Sequence, residues 1–221
     1  MLILASNSPR RQQLLRLAGW DYTALPASLD ESVRPGEEGR GYVLRLAEAK
    51  ARHVREDLHG ASETDLIVAA DTTVVLNEAI LGKPADAAEA IEMLVRLRGR
   101  PHQVHTGLAV LQPVGNQLIS QLTTTTVFMR NYSDEEIRAY VASGDPLDKA
   151  GAYAIQYRAF HPVESLEGCY ANVVGMPLCR LAEMLQSFGQ TPGRTPEVAC
   201  TSLTGQTCPV YEHFLLAEQS V

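Results

Sequence analysis

Leu4-Ala5-Ser6-Asn7-Ser8-Pro9-Arg10-Arg11 reads as the end of a strand, a polar turn and the start of a helix. Met1 to Ala5 is an apolar run suited to a buried strand. From Gln12 to Gly19 the residues Leu14, Leu15, Leu17 and Ala18 recur at helical spacing before a closing glycine. Ser8 suits the N-cap and Pro9 the first helical position, where its missing N–H would have been an orphan anyway. Arg10 and Arg11 then fall in the first turn, where cations meet the positive end of the helix dipole at a cost on the order of a few tenths of a kcal/mol each. Two readings of that placement stay open. Either an anion is held there by the arginines and the free amides together, or the arginines reach out into solvent from a basic turn.

The 221 residues are enough for one large domain or two small lobes around a proper core. With 45% hydrophobic and 20% charged residues the composition is that of an ordinary globular protein, and the net charge of -7 argues against a general nucleic-acid binder. No run is long enough to span a bilayer and the N-terminus lacks the order of a signal peptide, so a cytoplasmic location without membrane association is expected. Cys169, Cys179, Cys200 and Cys208 form no C-x-x-C pair and no zinc-finger spacing. Free thiols are expected, with Cys200 and Cys208 in the tail as an exposed pair that could oxidise.

Outward from the opening turn, Trp20 to Ala27 reads as a second strand and Ser28 to Gly41 as a polar loop carrying Asp30 and Glu31. A helix from Tyr42 to Asp57 follows, with Val43, Leu46, Ala47, Ala51 and Val54 on its apolar stripe and Lys50 on the same line. Such a lysine either snorkels off the packed face, the commoner case, or reaches into a cleft. Leu66 to Leu76 is the strongest strand signal in the chain, yet Asp71 and Thr72-Thr73 interrupt its apolar run. A carboxylate inside such a strand must be paired, protonated or bound to a metal, unless it caps a turn at a strand end.

Lys83 comes next, beside Pro84. A helix from Asp86 to Gly99 and two strands, His102 to Gln112 and Leu118 to Met129, joined as a hairpin, follow it. His102 and His105 are three apart on a strand and so face opposite ways, which argues against a shared metal ion. Ser133-x-x-Glu136 opens a helix to Ser143; Asp145 to Gln156 is a charged loop entering a short strand; Leu178, Leu181, Leu185 and Phe188 mark a last helix. From Gly189 on the order lacks helical or strand periodicity and reads as a tail or irregular arm, with Tyr211 to Ala217 as a segment that could dock.

Walker, G-x-G-x-x-G, H-E-x-x-H and G-x-S-x-G motifs are all absent. What remains is a dispersed set: Arg10 and Arg11 at a helix start, Lys50, Lys83 and Lys149 as isolated cations, Glu31 and Asp71 as isolated carboxylates. Cations with a helix N-terminus suit a polyphosphate, and carboxylates among them suit a divalent metal that bridges phosphate oxygens. Together they point to metal-assisted attack of water on a phosphoanhydride.

The chain also resembles the Maf family of nucleoside triphosphate pyrophosphatases. The resemblance runs, in family order, through Ser6 to Arg11, the Glu31 loop, Ala47 to Ala51, Ala70-Asp71-Thr72, Gly82-Lys83-Pro84, Asp148 to Gln156 and Gly168 to Leu178, and its extent implies a folded domain over residues 1–186 with 187–221 as the tail outside it. It implies an α/β enzyme with an elongated mixed β-sheet flanked by helices and two lobes around a central cleft, inosine-triphosphatase-like. It also implies a homodimer and hydrolysis between the α and β phosphates of a nucleoside triphosphate with Mg2+ or Mn2+. Carried over by position, Asp71 looks like the catalytic base or metal-associated carboxylate, with Glu31 helping to hold the metal. Ser8, Arg11, Lys50 and Lys83 would bind the phosphates.

Within the family, Arg10, Thr72 and Gln156 stand at the three positions that mark the branch acting on dTTP and UTP, so that branch is expected over the one acting on 7-methyl-GTP. One passage departs from the family pattern: Tyr157 to Val163 replaces a glycine-rich stretch, and a reshaped loop beside the base is expected there. A second reading from another class is a nucleotide-binding regulator of cell division and septum formation without turnover. The presence of both Asp71 and Glu31 counts against it.

Overall fold

The computed structural model describes residues 1–211. The proposed docking segment Tyr211 to Ala217 therefore lies, beyond its first residue, outside the described residues. Strand β1 (Leu2–Leu4) leads through the opening turn into α1 (Pro9–Leu17), as the pattern predicts. β2 covers only Tyr22–Ala24, the middle of the expected strand, and α2 (Gly39–Asp57) starts three residues before its expected first residue. Then come β3 (Leu66–Leu76), β4 (Ala79–Leu81), α3 (Ala87–Leu97), β5 (Pro101–Gln112), β6 (Gln117–Met129) and α4 (Asp134–Ala142). β7 (Val163–Glu167), α5 (Tyr170–Val174), α6 (Leu178–Gln186) and α7 (Pro196–Thr204) complete the described fold.

The seven strands form one mixed sheet in the order β2-β1-β3-β5-β6-β7, with β4 paired to β3. β1 runs parallel to β2 and β3, and every later pairing is antiparallel. The β5–β6 hairpin pairs without a break from Pro101↔Phe128 to Gln112↔Gln117, so its register carries the long sheet between two lobes. Alternation along β3 divides the core. Leu66, Val68 and Ala70 pack under α1, α5 and α6, while Ile67 and Ala69 pack under α2 with Ala47, Ala51 and Val54. The far half of β3 and β5 supports a third cluster built from α3, α4 and residues 150–166.

Two expectations for the later part of the chain are corrected. No strand lies between Lys149 and Gln156, where the charged loop is expected to enter one. Residues 145–148 and 150–152 are two 3-10 turns, after which Tyr157 N–H donates to the Ala154 carbonyl and His161 N–H to the Tyr157 carbonyl. The chain thus folds back on itself before β7 begins. The tail is also not irregular throughout, because α7 starts at a Thr195 cap whose hydroxyl accepts from Val198 N–H. Its buried Ala199 and Cys200 join the same core cluster as Ala18 and Trp20. Cys200 is therefore not part of an exposed oxidisable pair. All four cysteines are free, and burial pushes the thiols of Cys179 and Cys200 up to about 12, which leaves them protonated and unreactive near neutral pH.

The unusual passage Tyr157 to Val163 belongs to the α4 lobe. Phe160 is buried and stacks on Tyr140 with ring centroids 4.4 Å apart, and Tyr157 packs on the same ring at 4.8 Å. None of its residues lines the central cleft, whose lining passes from Gln156 directly to Val173. Among the described residues no helix is long and apolar enough to cross a membrane.

Candidate active site

A gap in strand pairing makes the site. On one edge β3 pairs with β1 from Leu66 to Val68 and with β4 from Val74 to Leu76; between them that edge has no partner strand. On the other side β5 continues the ladder past Asp71, Thr72 and Thr73. The interruption of the apolar run in the sequence thus falls where the sheet opens. A cleft of about 570 Å3 occupies the gap, within the range of small-molecule sites. Ser8, Arg10, Arg11, Glu31, Lys50, Asp71, Thr72, Lys83 and Gln156 all line it.

Asp71 and Lys50 form its buried floor. Lys50 Nζ lies 2.6 Å from Asp71 Oδ1 and 2.6 Å from Glu31 Oε1, and the side chains of Lys50 and Asp71 are 9% and 10% exposed. Lys50 therefore does not snorkel. Its approach depends on Gly107, which stands opposite Asp71 in the β3–β5 register. A Cβ on Gly107 would lie 2.4 Å from the Val43 carbonyl oxygen, so only glycine lets α2 lie this close to the sheet. Two turns further along α2 comes Lys50. Burial raises the Asp71 carboxyl above its ordinary value, against the opposing pull of Lys50 and Arg11. Burial also pushes Glu31 upward, but Lys50, Lys83 and Arg11 together outweigh it and hold that carboxyl low.

Glu31 reaches the floor from a loop pinned to α2. Tyr42 Oη donates to the Glu31 carbonyl at 2.9 Å, and Arg45 Nη2 donates to the Ser32 carbonyl while gripping Glu37 with two bonds of 2.6 and 2.7 Å. One helix thus carries both the cation and the anchors of the second carboxylate.

The opposite wall is the start of α1. Ser8 occupies the N-cap position with extended backbone, but its side chain makes no capping bond, so the first turn faces the cleft without a side-chain cap. Arg11 is held by three bonds: Nε to the Gly175 carbonyl at 3.0 Å, Nη1 to Ser6 Oγ at 3.3 Å and Nη2 to Thr72 Oγ1 at 3.3 Å. Two of its five N–H donors remain for a ligand. Gly175 has φ of +112°, and a Cβ there would sit 3.3 Å from Thr72 Oγ1. Arg10 is freer, with one long contact of 3.5 Å to Asp148. Lys83 is exposed on the rim, within charge range of Glu31.

Lys149, expected as an isolated cation, is tied up. Its ammonium pairs with Asp148 at 2.6 Å and Asp145 at 3.1 Å. His102 and His105 take separate partners, Tyr153 Oη at 2.8 Å and Thr124 Oγ1 at 2.9 Å, in keeping with their opposite facing. Gly175 and Thr106 hold the site from a distance in sequence, through Arg11 and Thr72, while Ser6 does so locally from the same turn as Arg11; Thr106 carries no local signal of this role.

Among the described residues no three His, Cys, Asp or Glu side chains gather into a closed metal cage. Glu31 and Asp71 nevertheless reach one common point, the Lys50 ammonium. An open pair of carboxylates fits a hard cation that takes its remaining ligands from water and phosphate.

Comparison with known proteins shows the family of the chain. A family model described as Maf-like protein matches residues 1–188. The chain is 46% identical over 188 residues to a dTTP/UTP pyrophosphatase of Geobacter sp. (strain M21), covering 85% of this chain and 95% of that relative. A dTTP/UTP pyrophosphatase of Pelotomaculum thermopropionicum is 46% identical over 188 residues, covering 85% and 96%. One from Clostridium botulinum (strain Kyoto / Type A2) is 43% identical over 189 residues, covering 85% and 97%. The cleft between the α1 turn and the Lys50–Asp71 floor is thus set in a chain that belongs to the Maf family.

Proposed function

We propose that this protein hydrolyses dTTP and UTP to the nucleoside monophosphate and pyrophosphate. The observation that carries the reading is the buried Asp71, its carboxyl raised by burial and its oxygen held by Lys50 in a cleft that is otherwise rich in cations. A raised carboxyl is a better base near neutrality than an exposed one. Water attacks the α-phosphorus and gives its proton to Asp71. The new P–O bond forms as the bond to the αβ-bridging oxygen breaks, and pyrophosphate leaves with that electron pair.

Arg11, Lys50, Lys83 and the uncapped first turn of α1, with Ser8, hold the phosphate charge; Arg10, Thr72 and Gln156 face the base. Glu31 and Asp71 would hold Mg2+ or Mn2+, which when bound supplies positive charge against the phosphate oxygens. The names of the relatives support the choice of base. The test is product analysis with Mg2+ and a panel of dTTP, UTP, CTP, GTP, ATP and 7-methyl-GTP. Monophosphate plus pyrophosphate from dTTP and UTP is the expected result. Binding without cleavage of any triphosphate would overturn it in favour of a regulator.

A further inference from the structure

Thr72 on β3 and Thr106 on β5 stand opposite each other in the ladder, with hydroxyl oxygens 2.9 Å apart. The distance alone does not say which donates, but the neighbours decide it. Thr106 Oγ1 lies 3.0 Å from the backbone carbonyl of Asn172, an oxygen that can only accept, so the single hydroxyl proton of Thr106 goes there. Thr106 then accepts the single proton of Thr72. At the other end Arg11 Nη2, which can only donate, serves the Thr72 oxygen. The chain of bonds runs one way: Arg11 to Thr72 to Thr106 to the Asn172 carbonyl.

Thr106 is fully buried and does not line the cleft, whereas Thr72 is half-buried and does. What Thr72 offers a ligand is therefore an oxygen whose proton is already committed, with one lone pair left.

We infer that Thr106 is a positioning residue for base selection, holding Thr72 as an acceptor-only group that takes a ring N–H and refuses a bare ring nitrogen. Uracil and thymine carry N3–H between two carbonyls; cytosine carries an unprotonated nitrogen at the same place. An acceptor facing an acceptor leaves both unpaired, and a site built to hydrogen-bond one edge rejects its counterpart for that reason. The inference rests on the proposed reading of the cleft as a pyrimidine nucleotide site with Thr72 at the base.

The experiment compares the parent with Thr106→Val, Thr106→Ser and Thr72→Val. Two readouts are used: kcat/KM for UTP and CTP, and calorimetric Kd for UTP and CTP analogues with a methylene between the α and β phosphates. The parent is expected to favour the UTP analogue. Thr106→Val frees the Thr72 proton and should raise the CTP-to-UTP ratio about tenfold in both readouts, while Thr106→Ser keeps the parental ratio. Thr72→Val should reach a similar ratio by losing UTP. An unchanged ratio in Thr106→Val, an equal loss for both bases, or a shift in Thr106→Ser as large as in Thr106→Val overturns the inference. So does equal binding of the two analogues by the parent. Should Thr106→Val not fold, Thr106→Ala, which also removes the hydroxyl that receives the Thr72 proton, is read in its place by the same ratios. The binding ratio remains readable if no triphosphate is cleaved, so failure of the hydrolytic reading and failure of the Thr106 role are separable.

Discussion

Gly107 and Asp71 face each other across the β3–β5 ladder, and the side chain that Gly107 lacks is the space in which the Val43 carbonyl of α2 lies. Because α2 can sit that close, Lys50 meets Asp71 at 2.6 Å.

Gly107→Ala is accordingly expected to act on the site through the helix. A Cβ 2.4 Å from a backbone oxygen forces α2 away, at a cost of about 1–3 kcal/mol in stability. The same displacement loosens Lys50 from Asp71. Thermal unfolding and turnover measured together should both fall. A variant with parental melting and parental turnover would show that α2 can shift without consequence.

Asp71→Asn keeps the shape and removes the base. Turnover of dTTP and UTP is expected to fall by at least about a hundredfold with nucleotide binding largely kept. Lys50 retains Glu31 as a partner in that variant, so the floor keeps one of its two ion pairs. Parental turnover would remove Asp71 from the mechanism.

Arg10 and Arg11 should separate cleanly although they are neighbours in sequence. Arg10 has one long contact, so Arg10→Ala is expected to change the ranking among bases more than it weakens all triphosphates. Arg11 holds Gly175, Ser6 and Thr72. Arg11→Ala should weaken every triphosphate and lower the melting temperature as well. Steady-state kinetics over the base panel with parallel melts checks both; a uniform loss in Arg10→Ala would move that residue to the phosphates.

His102 gives the fold an acid-sensitive point. Burial brings its imidazole down to about 4 from the ordinary 6.5, and Nε2 is bonded to Tyr153. Between those two values the unfolded chain binds a proton that the folded chain does not, so stability falls as pH falls through this window. The loss is expected to be about 3 kcal/mol in all. Denaturant unfolding of the parent and His102→Gln at pH 7 and pH 5 should show a smaller pH-dependence in the variant. Equal dependence would place the acid sensitivity elsewhere.

Much of the fold was legible because its signals are local. The α1 turn announces itself through Ser8-Pro9, α4 through its capping box, and the β5–β6 hairpin through two long strand runs around a Pro-Gly turn. The resemblance supplied the cleft residues in one set, and the structure places all of them on one cavity. Helix α7 was missed because its apolar pattern is thin: Val198 points outward and only Pro196, Ala199 and Cys200 are buried, although Thr195-Pro196 was a readable start. The expected strand after Lys149 fails because 3-10 turns and the aromatic packing of Tyr157 and Phe160 on Tyr140 fold that passage back.

By itself the sequence determined which segments are strands and helices through most of the chain, and that Asp71 interrupts an otherwise apolar strand. Periodicity and caps act over a few residues, and a carboxylate in such a run is anomalous wherever the strand lies. Only the tertiary structure decided that Lys50 is buried between two carboxylates, that Arg11 is bound to the protein while Arg10 is nearly free, and which way the hydroxyls of Thr72 and Thr106 point. Those outcomes depend on how closely α2, α1 and α5 approach the sheet. That approach is set by side chains missing at Gly107 and Gly175, far along the chain from the groups they bring together.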